Sequence, residues 1–476
     1  MAIVEGVLYD KGGAVFNVKH SDFGAVGDGT TDDTLAIQAA ITAATLQLSN
    51  NAATAVSAKG SIVYFPMGIY KISSTLHLSS GVSIRGAGMR TTQLKFYLST
   101  GDDGLVWDQG NETSPYHVGA FLEDIDLMTA GRDTTGQSAR DLVVLQSWQS
   151  FSINRARIYA AYRNNLLIND SVNITAVHLE SYEAGQSNLY VGSASSEGYT
   201  TTARFVGCYF QGTQDGPGAD VAGYGLSFEQ CIFESCGRRT PAGAYGVRVR
   251  WGTAAFVSPY FENNRDWELI AGTEAPSGAQ ETAVTVINPV FTPASNKLTG
   301  KGGVRFERGS ATLVGGNYGT GPHPMSFSTA MNHVFVSAKS YPNAPEVDAP
   351  GSLKLLPGTV LYTDPPSGQW IVTGAAGYEI GGGDLIKKHL STTAAWTPGV
   401  VANGATAQVV VTVAGASYGD TVVVSFNHQG AGLGSGVILF GSVSGSGNAV
   451  AVTLLNVSGS SLTFLSGTLR VDVWKH

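Results

Sequence analysis

A short pattern recurs along the middle of this chain: a small or apolar residue, any residue, and then a large apolar residue. It occurs in DIDLM, RARIY, AVHLE, GCYFQ, QCIFE, SPYFE, NPVFT and GGNYG. The large residues are 21 to 31 positions apart, and they are Leu127, Ile158, Leu179, Phe210, Phe233, Phe261, Phe291 and Tyr318. A second short apolar segment follows most of them, with turn-forming residues between. Two or three short strands in each irregular repeat predict a parallel β-helix rather than a helical repeat or a propeller.

The repeat also predicts which side chains are neighbours, because equivalent residues of successive coils stack about 4.8 Å apart. The large apolar residues are expected to form one row that points into the core. Cys208 and Cys231 lie two positions before two of them. We expect both to be buried thiols, because buried Cys usually packs as a small hydrophobe.

Composition excludes several classes of protein. The 476 residues include 61 Gly, 43% hydrophobic and 13% charged residues, which is typical of folded, turn-rich β structure. The net charge of −8 disfavours a nucleic-acid partner. We find neither an apolar stretch long enough to cross a membrane nor a basic start followed by an apolar run, so we expect neither membrane insertion nor a secretory signal. Three Cys residues imply no disulfide framework.

The segment DFGAVGDGTTDDTLAIQAAI, residues 22–41, is rich in Asp and Gly and then becomes apolar. It lacks the Lys of a phosphate-binding loop and the alternating acids of an EF-hand. A structural interpretation fits better, since Asp32 or Asp33 can cap a helix whose apolar stripe follows. The sequence therefore predicts no metal site and no cofactor.

This segment is followed by GSIVYFPMGIYKIS and LHLSSGVSIRGAG. Together they resemble the start of the pectate-lyase-like superfamily that is common in bacteriophage tailspikes. Residues 17–90 carry the resemblance closely, and the coil repeat extends it to about residue 340. It implies an all-β fold: a right-handed, single-stranded parallel β-helix whose N-terminal helix caps exposed strand edges. The same fold serves lyases, hydrolases and inactive scaffolds, so it implies little about activity.

Four regions are expected. Residues 1–60 form an N-terminal segment with the capping helix, and residues 61–340 form the β-helix. Residues 341–385 are rich in Pro and Gly, which predicts a linker with a small β element. Residues 386–476 contain strands with frequent turns, which predicts a C-terminal β-sandwich. This sandwich is similar to terminal domains of phage tail proteins, which implies trimerisation or glycan binding; a plain structural module is the alternative.

Cleavage of a sugar polymer usually needs two carboxylates. The position directly after the inward row holds Met128, Tyr159, Glu180, Gln211, Glu234, Glu262 and Thr292. Glu234 and Glu262 fall on adjacent coils, so their backbones would lie about 5 Å apart, close to the carboxyl spacing of retaining glycosidases. Glu180 would lie two coils from Glu234. The predicted catalytic residues are therefore Glu234, Glu262 and Glu180; the alternative is that these acids only bind turn amides.

The outward position one residue before the inward row holds Asp126, Arg157, His178, Tyr209, Ile232, Tyr260 and Val290. Tyr rings stack on sugars and Arg binds carboxylates, so this face is a candidate sugar groove. The segments GVRVRW and YFENNRDWE, and an insert near residue 215, add further polar and aromatic residues. The predicted substrate-binding residues are His178, Tyr209, Asp215, Asp220, Arg248, Arg250, Trp251, Tyr260, Arg265 and Asp266.

Galacturonan hydrolases of this fold carry Gly-His-Gly and Arg-Ile-Lys blocks, which are missing here although Asp102-Asp103 is present. The calcium and Arg constellation of a pectate lyase is not evident either, so pectin cleavage is disfavoured.

The resemblance implies a phage tailspike-like depolymerase that cleaves a bacterial capsule, exopolysaccharide or O-antigen during host adsorption, more as a hydrolase than a lyase. It implies a homotrimer in the virion tail, joined to other tail proteins and acting at the host surface. The alternatives are a non-catalytic receptor-binding spike and a bacterial polysaccharide lyase or epimerase.

Overall fold

The structure of the protein is a computed structural model. It describes residues 3–4, 7–10, 13–50, 60–109, 117–134, 136–192, 199–240, 242–274, 282–292, 297–298, 301–316, 325–337, 346–347, 352–354, 388–428, 435–445 and 447–475. Tyr318 therefore lies outside the described residues, and so does the predicted linker at 341–385 except for residues 346–347 and 352–354. The chain divides into two compact units, one of residues 1–349 with 355–371 and the other of residues 350–354 with 372–476.

The described residues of the first unit contain one helix and many short strands, and the last strand named below, β30, lies in the segment 350–354 that belongs to the second unit. In chain order they are β1 (Ile3–Val4), β2 (Val7–Asp10), β3 (Gly13–Asn17), β4 (Asp28–Asp32), α1 (Thr34–Asn50), β5 (Ser61–Phe65), β6 (Gly68–Ile72), β7 (Leu76–Ser79), β8 (Val82–Gly86), β9 (Thr92–Phe96), β10 (Leu105–Gln109), β11 (His117–Thr129), β12 (Asp141–Gln146), β13 (Trp148–Tyr159), β14 (Asn164–Asn169), β15 (Val172–Val177), β16 (Glu180–Tyr182), β17 (Ser187–Val191), β18 (Arg204–Val206), β19 (Tyr209–Gln211), β20 (Ala219–Glu229), β21 (Ile232–Glu234), β22 (Val247–Val257), β23 (Tyr260–Glu262), β24 (Leu269–Ala271), β25 (Ala283–Ile287), β26 (Val290–Thr292), β27 (Val304–Val314), β28 (Met325–Ser337), β29 (Glu346–Val347) and β30 (Ser352–Lys354).

From β5 onward the strands pair in parallel with strands one coil further along the chain, and three sheets run side by side. The first sheet contains β3, β5, β8, β11, β13, β15, β18, β20, β22, β25, β27 and β28. The second contains β4, β6, β9, β11, β13, β16, β19, β21, β23 and β26. The third contains β7, β10, β12, β14, β17, β20, β22, β24, β27 and β28. Long strands such as β11 and β22 turn a corner and belong to two sheets.

Stacked phenylalanine rings fill the core between these sheets. In the second sheet Phe210, Phe233, Phe261 and Phe291 follow one another in register, with ring centroids 5.3, 5.2 and 4.9 Å apart. In the first sheet Phe205, Phe228 and Phe256 stack in the same way at 4.8 and 5.0 Å. The inward row predicted from Phe210 to Phe291 is therefore confirmed, as is its earlier pair of Leu127 with Ile158.

One member of the predicted row is wrong. Ser181, not Leu179, pairs with Ile158 on one side and Phe210 on the other. Leu179 is buried as well, but it follows the corner residue His178, whose φ is 52°. The corresponding corner position of other coils is also left-handed, at Asp124, Arg155, Gly207, Gln230, Ser258 and Asn288. Most coils therefore carry two inward residues at this corner, one in the register row and one two positions before it. At this coil the residue in the row is Ser181, and the apolar pattern identified Leu179, two positions before it, instead.

Ser181 is accommodated because its polar neighbours are also inside. Its hydroxyl donates to the carbonyl of Asn188 at 2.9 Å and accepts from Nδ2 of Asn165 at 3.1 Å. Buried polar groups are tolerated when they are hydrogen-bonded in this way. Cys208 and Cys231 are free and buried, as predicted.

The Asp-rich segment before α1 holds backbone rather than a ligand. Asp33 is buried, and its carboxylate accepts from the amides of Val26 and Gly27 at 2.7 and 3.0 Å. Asp32 accepts from the amide of Thr34, the first residue of α1, at 3.0 Å. The helix buries Ile37, Ala40, Ile41 and Ala44. No helix among the described residues is long and apolar enough to cross a membrane.

The second unit consists of short antiparallel strands around one apolar core that includes Trp396, Phe426, Val452 and Leu469. Three sheets are formed, by β31 with β38 and β34, by β32 with β37, and by β33 with β36 and β35. The strands are β31 (Lys388–Trp396), β32 (Gly399–Val401), β33 (Thr406–Thr412), β34 (Thr421–His428), β35 (Val437–Val443), β36 (Ala449–Asn456), β37 (Leu462–Phe464) and β38 (Gly467–Lys475).

Removal of one ring from the phenylalanine stack should weaken the first unit. Phe233 is fully buried between Phe210 and Phe261, so Phe233→Ala should lower the free energy of unfolding by about 3–5 kcal/mol. Val290→Ala, at an exposed position of β26, is the control and should cost about 1 kcal/mol or less. Denaturant unfolding of both variants measures the difference, and equal costs would contradict the stacked core.

Candidate functional site

Two outward rows of the second sheet bring acids and tyrosines together. One row holds Asp126, Arg157, Glu180, Tyr209, Ile232 and Tyr260, and the other holds Tyr159, Tyr182, Gln211, Glu234 and Glu262. From these rows we define the second-sheet strip as Arg157, Tyr159, Glu180, Tyr182, Tyr209, Glu234 and Glu262. All seven side chains are half-buried, so they are held in place and still reach solvent.

Among the acids of the second-sheet strip, Glu234 has the most hydrogen-bond donors around it. The Tyr209 hydroxyl donates to Oε2, Nε2 of Gln211 donates to Oε1 at 3.0 Å, and the Ser235 hydroxyl lies 3.4 Å from Oε1. Donors on both oxygens fix the orientation of the carboxylate. Burial, and then the contact with Glu234, raise the pKa of the Tyr209 hydroxyl, which therefore stays protonated as the donor.

Glu262 is the register partner of Glu234 on the next coil, as the repeat predicted. Its carboxylate has one weak neighbour, Nδ2 of Asn263 at 3.4 Å. The two acids thus occupy adjacent rungs of one row, but only Glu234 is held by several donors. The two carboxylates of the pair therefore differ in how firmly neighbouring side chains hold them.

The tyrosines connect this pair to an arginine. The rings of Tyr182 and Tyr209 meet edge to face with centroids 5.3 Å apart. The Arg157 guanidinium lies 5.5 Å from the ring centroids of both Tyr159 and Tyr182. An aromatic surface with a cation beside it is a suitable platform for a sugar chain, whose ring faces are apolar and whose edges are polar.

The Arg157 side chain is paired with Asp126, a residue of the same row that was not among the predicted site residues. The Asp126 side chain has no exposed surface and lies 3.5 Å from Nη1 of Arg157. Its Oδ1 accepts from the Arg90 amide at 3.0 Å, while its Oδ2 and Nε of Arg157 are buried without a hydrogen bond among the described residues. Burial raises the pKa of Asp126, and the Arg90 amide and Arg157 oppose this only in part. The sequence repeat placed Asp126 and Arg157 on adjacent coils of one row, but it did not predict that Asp126 is buried.

Two predicted site residues take different positions from those expected. Glu180 lies in the row of Tyr209, not in the row of Glu234, because Ser181 occupies the inward position. It still joins the strip, where its carboxylate lies 3.2 Å from Nη2 of Arg90. His178 lies at the left-handed corner and is exposed, so it does not flank Tyr209 within the sheet. Tyr260 is in the predicted row, beside Ile232, with its hydroxyl 3.4 Å from that of Thr292.

Four further candidates lie on the third sheet or at its end, away from Glu234. Asp220 pairs with Tyr190 and Arg248 in that sheet and is buried. Its carboxylate accepts from Nε of Arg248 at 3.0 Å and lies 3.1 Å from Nε of Arg250. Trp251 follows them at a bend of β22. The expectation that Arg248, Arg250 and Trp251 share the site of Glu234 is therefore wrong, because β22 belongs there to a different sheet.

The remaining candidates have structural contacts. Asp266 is buried and accepts from the amides of Gly243 and Trp267 at 2.9 and 3.0 Å. Arg265 lies in the same loop after β23, and its Nε is buried without a hydrogen bond among the described residues. Asp215 lies in the loop after β19 and pairs with Arg239 at 2.6 Å. None of these three belongs to the second-sheet strip. Within the described part of the chain, no cluster of three His, Cys, Asp or Glu residues is arranged to hold a metal ion.

A family profile described as rhamnogalacturonase A/epimerase, pectate lyase-like, matches residues 15–258, slightly more than half of the chain. The chain belongs to this pectate lyase-like family. The matched region includes Asp126, Arg157, Glu180, Tyr209 and Glu234, and it ends just before Glu262. The resemblance seen in the sequence is thus confirmed.

The names of curated proteins that resemble this chain are those of enzymes that act on polysaccharides. Mannuronan C5-epimerase AlgE3 of Azotobacter vinelandii is 42% identical over 130 residues, which is 25% of this chain and 6% of that protein. Alginate lyase 7 of the same organism is 44% identical over 101 residues, 20% of this chain and 10% of that protein. The chain therefore spans only a small part of the length of these relatives.

A solved structure extends the comparison to almost the whole chain. The gp42 tailspike of Acinetobacter phage AS12 matches with a TM-score of 0.52 and 12% identity, covering 96% of this chain and 82% of that one. At this identity the likeness concerns the fold alone. It includes the β-rich architecture that the family match leaves out beyond residue 258.

The raised pKa of Tyr209 predicts an alkaline dependence of stability. The unfolded chain loses this proton near pH 10, before the folded chain does, so the folded state loses stability as the pH rises above about 10. Tyr209→Phe should show a smaller fall in unfolding free energy between about pH 9 and about pH 11 than the wild type does. Urea unfolding at both pH values measures this, and an equal fall in both proteins would show that the folded state does not raise the pKa of Tyr209.

Proposed function

We propose that this protein is a polysaccharide depolymerase of the phage tailspike type, which binds and cleaves a bacterial surface polysaccharide. The observation that carries the proposal is the alignment of Glu234 and Glu262 on adjacent coils of the second-sheet strip, with Tyr209 donating to Glu234. Membership of a pectate lyase-like family and the names of the curated relatives support a polysaccharide substrate. The tailspike fold likeness supports the phage setting, with the protein in the virion tail and acting at the host surface.

The architecture that goes with this function is a right-handed parallel β-helix followed by a β-sandwich. We assign the β-helix to residues 61–340, and α1 within residues 1–60 caps its first coil through Ile37, Ala40 and Ile41. We assign residues 386–476 to a sandwich that trimerises the chain or binds glycan. A homotrimer joined to other tail proteins completes the assembly, since closed symmetry covers the long flat faces of a β-helix.

In the proposed reaction Glu234 and Glu262 have different roles. Glu234, held as an acceptor by Tyr209 and Gln211, acts on the anomeric carbon as nucleophile, or on water as base. Glu262 donates a proton to the departing glycosidic oxygen. The strand spacing of about 5 Å between neighbouring rungs agrees with the carboxyl separation of retaining glycosidases.

The rest of the strip binds the polymer. The exposed parts of Tyr159, Tyr182 and Tyr209 offer stacking surface on three successive coils. Arg157 and Arg90 supply cations beside them, and Glu180 offers an acceptor to sugar hydroxyls. Asp126 acts as a positioning residue, because it touches Arg157 and has no exposed surface of its own.

A second candidate function is removal of a proton from a uronic acid, as in a lyase or an epimerase. The names of the curated relatives favour it. In this reaction Arg157 would neutralise the uronate carboxylate, and the Tyr209–Glu234 pair would exchange the proton at the neighbouring carbon. A third possibility, a spike that binds its receptor without cleaving it, uses the same strip and lacks turnover.

Replacement of the paired acids tests the reaction. Glu234→Gln and Glu262→Gln keep the side-chain shape and remove the charge, so each should slow cleavage by roughly 10²–10⁴-fold while polysaccharide binding persists. Glu229→Gln is the matched control, because Glu229 lies on the first sheet and pairs with Arg204. Product release from capsules, exopolysaccharides and alginate is the measurement.

The products distinguish the candidate reactions. New reducing ends without ultraviolet absorbance indicate hydrolysis, whereas unsaturated ends that absorb indicate elimination. Normal rates in both Gln variants would place the chemistry outside this pair. Binding of a polysaccharide by the wild type with no product at all would support the receptor-binding spike.

Assembly is tested on the full chain and on a truncation. Sedimentation should give a trimer that resists mild denaturant, and deletion of residues 386–476 should lower the yield or stability of that trimer. If the truncated chain forms the same trimer but no longer binds cells, the C-terminal unit is a receptor-binding module. A fully active monomer would contradict the trimer.

A further inference from the structure

A second group of aromatic and charged residues lies where the third sheet ends and the chain turns into the next coil. β22 carries one residue more than β20 at this point: Val221 pairs with Val249 and Ala222 pairs with Trp251, which leaves Arg250 as a bulge. Bulges redirect a side chain and are frequent beside binding sites. None of the residues at this bulge belongs to the second-sheet strip.

Three aromatic rings form a compact cluster at the bend. The ring of Tyr199 meets that of Trp251 edge to face at 5.2 Å, and Tyr224 lies 5.8 Å from Trp251 and 6.1 Å from Tyr199. Trp251 is buried, whereas Tyr199 and Tyr224 are half-buried. A buried Trp that supports two partly exposed tyrosines makes a rigid aromatic surface at the edge of the protein.

Arg250, which precedes Trp251 in β22, is buried with incomplete hydrogen bonding. Its side chain is 6% exposed and lies over the ring of Tyr190, 4.6 Å from the centroid. Nη2 donates to the carbonyl of Val191 at 2.9 Å. Nε lies 3.1 Å from Asp220 without hydrogen-bond alignment, and Nη1 is 3.8 Å from Glu274. The Thr273 hydroxyl, one residue before Glu274, is also buried without a partner among the described residues.

The charges at this place indicate the class of ligand. Two arginines, Arg248 and Arg250, face two acids, Asp220 and Glu274, so the group has no excess of either sign. These ion pairs leave no net charge to attract a phosphate, so recognition here rests on the hydroxyl groups and ring faces of a ligand, whether or not a polymer also carries carboxylates. Paired donors and acceptors next to aromatic rings match the hydroxyls and apolar faces of a sugar ring.

We propose that Tyr199, Tyr224, Trp251 and Arg250 form a second glycan-binding subsite, which holds the polysaccharide without cleaving it. This proposal rests on the proposed function, since it takes the same polymer as ligand. A subsite outside the second-sheet strip keeps a long chain attached while the strip acts on another part of it. Attachment at two places raises the effective concentration of the polymer at the strip.

Affinity electrophoresis of the full-length protein in gels that contain alginate or a purified capsular polysaccharide tests the subsite. The dissociation constant of the polysaccharide, obtained from the retardation, should be at least about tenfold higher for the double variant Tyr199→Ala/Tyr224→Ala than for the wild type. This is a loss of about 1.4 kcal/mol of binding free energy. The KM of the double variant for the polymer should rise while kcat on a short oligosaccharide stays unchanged. Tyr162→Ala, which removes an exposed tyrosine from another loop, is the control and should bind as the wild type does.

The outcomes separate this proposal from the proposed function. Retardation of the double variant equal to that of the wild type overturns the subsite, even when Glu262→Gln abolishes cleavage. A wild-type chain that no polysaccharide retards overturns both. Tyr199→Ala alone gives the same comparison with a smaller change, should the double variant fail to fold. Tyr199→Phe/Tyr224→Phe should restore binding, because stacking needs the ring and not the hydroxyl.

Discussion

In-register parallel pairing between successive coils is the constraint on which the first unit depends. Each backbone hydrogen bond between coils fixes the neighbours of every side chain, because a slip of one residue would turn a strand's inward residues outward. The phenylalanine stacks of the first and second sheets keep that register, since Phe228, Phe233 and Phe261 are each packed between rings of the coils before and after them. The same register aligns Glu234 with Glu262 on the outer face, so the core determines the geometry of the candidate site.

Much of this arrangement was readable from the sequence, because rows of side chains repeat where the coil length is regular. From Phe210 to Phe291 each coil offers one large aromatic residue at the inward position, and the predicted pairing of Glu234 with Glu262 is confirmed. At Ser181 the inward residue is small and polar, and the apolar pattern moved to Leu179. That error of two positions placed Glu180 in the wrong row and set His178 beside Tyr209.

The third-sheet residues show a different limit of sequence reasoning. Arg248 and Arg250 follow Glu234 closely along the chain, but the corner after Glu234 leads from the second sheet to the third, so they lie on a different sheet. This corner begins at Ser235, whose φ is 56°, and no composition rule identifies such a left-handed position. Nor did the sequence indicate that Asp126 would be fully buried beneath Arg157. Local pattern predicts which residues point outward, whereas the corners decide which of them share a face.

We propose that the polysaccharide is bound and cut at the second-sheet strip. The most direct test is a crystal structure of the Glu262→Gln variant with an oligosaccharide of the polymer that the wild type cleaves. In that structure a sugar chain should lie along Tyr159, Tyr182 and Tyr209, with a glycosidic bond between residues 234 and 262. An oligosaccharide bound only on the first sheet, or only in the second unit, with an empty strip would contradict it.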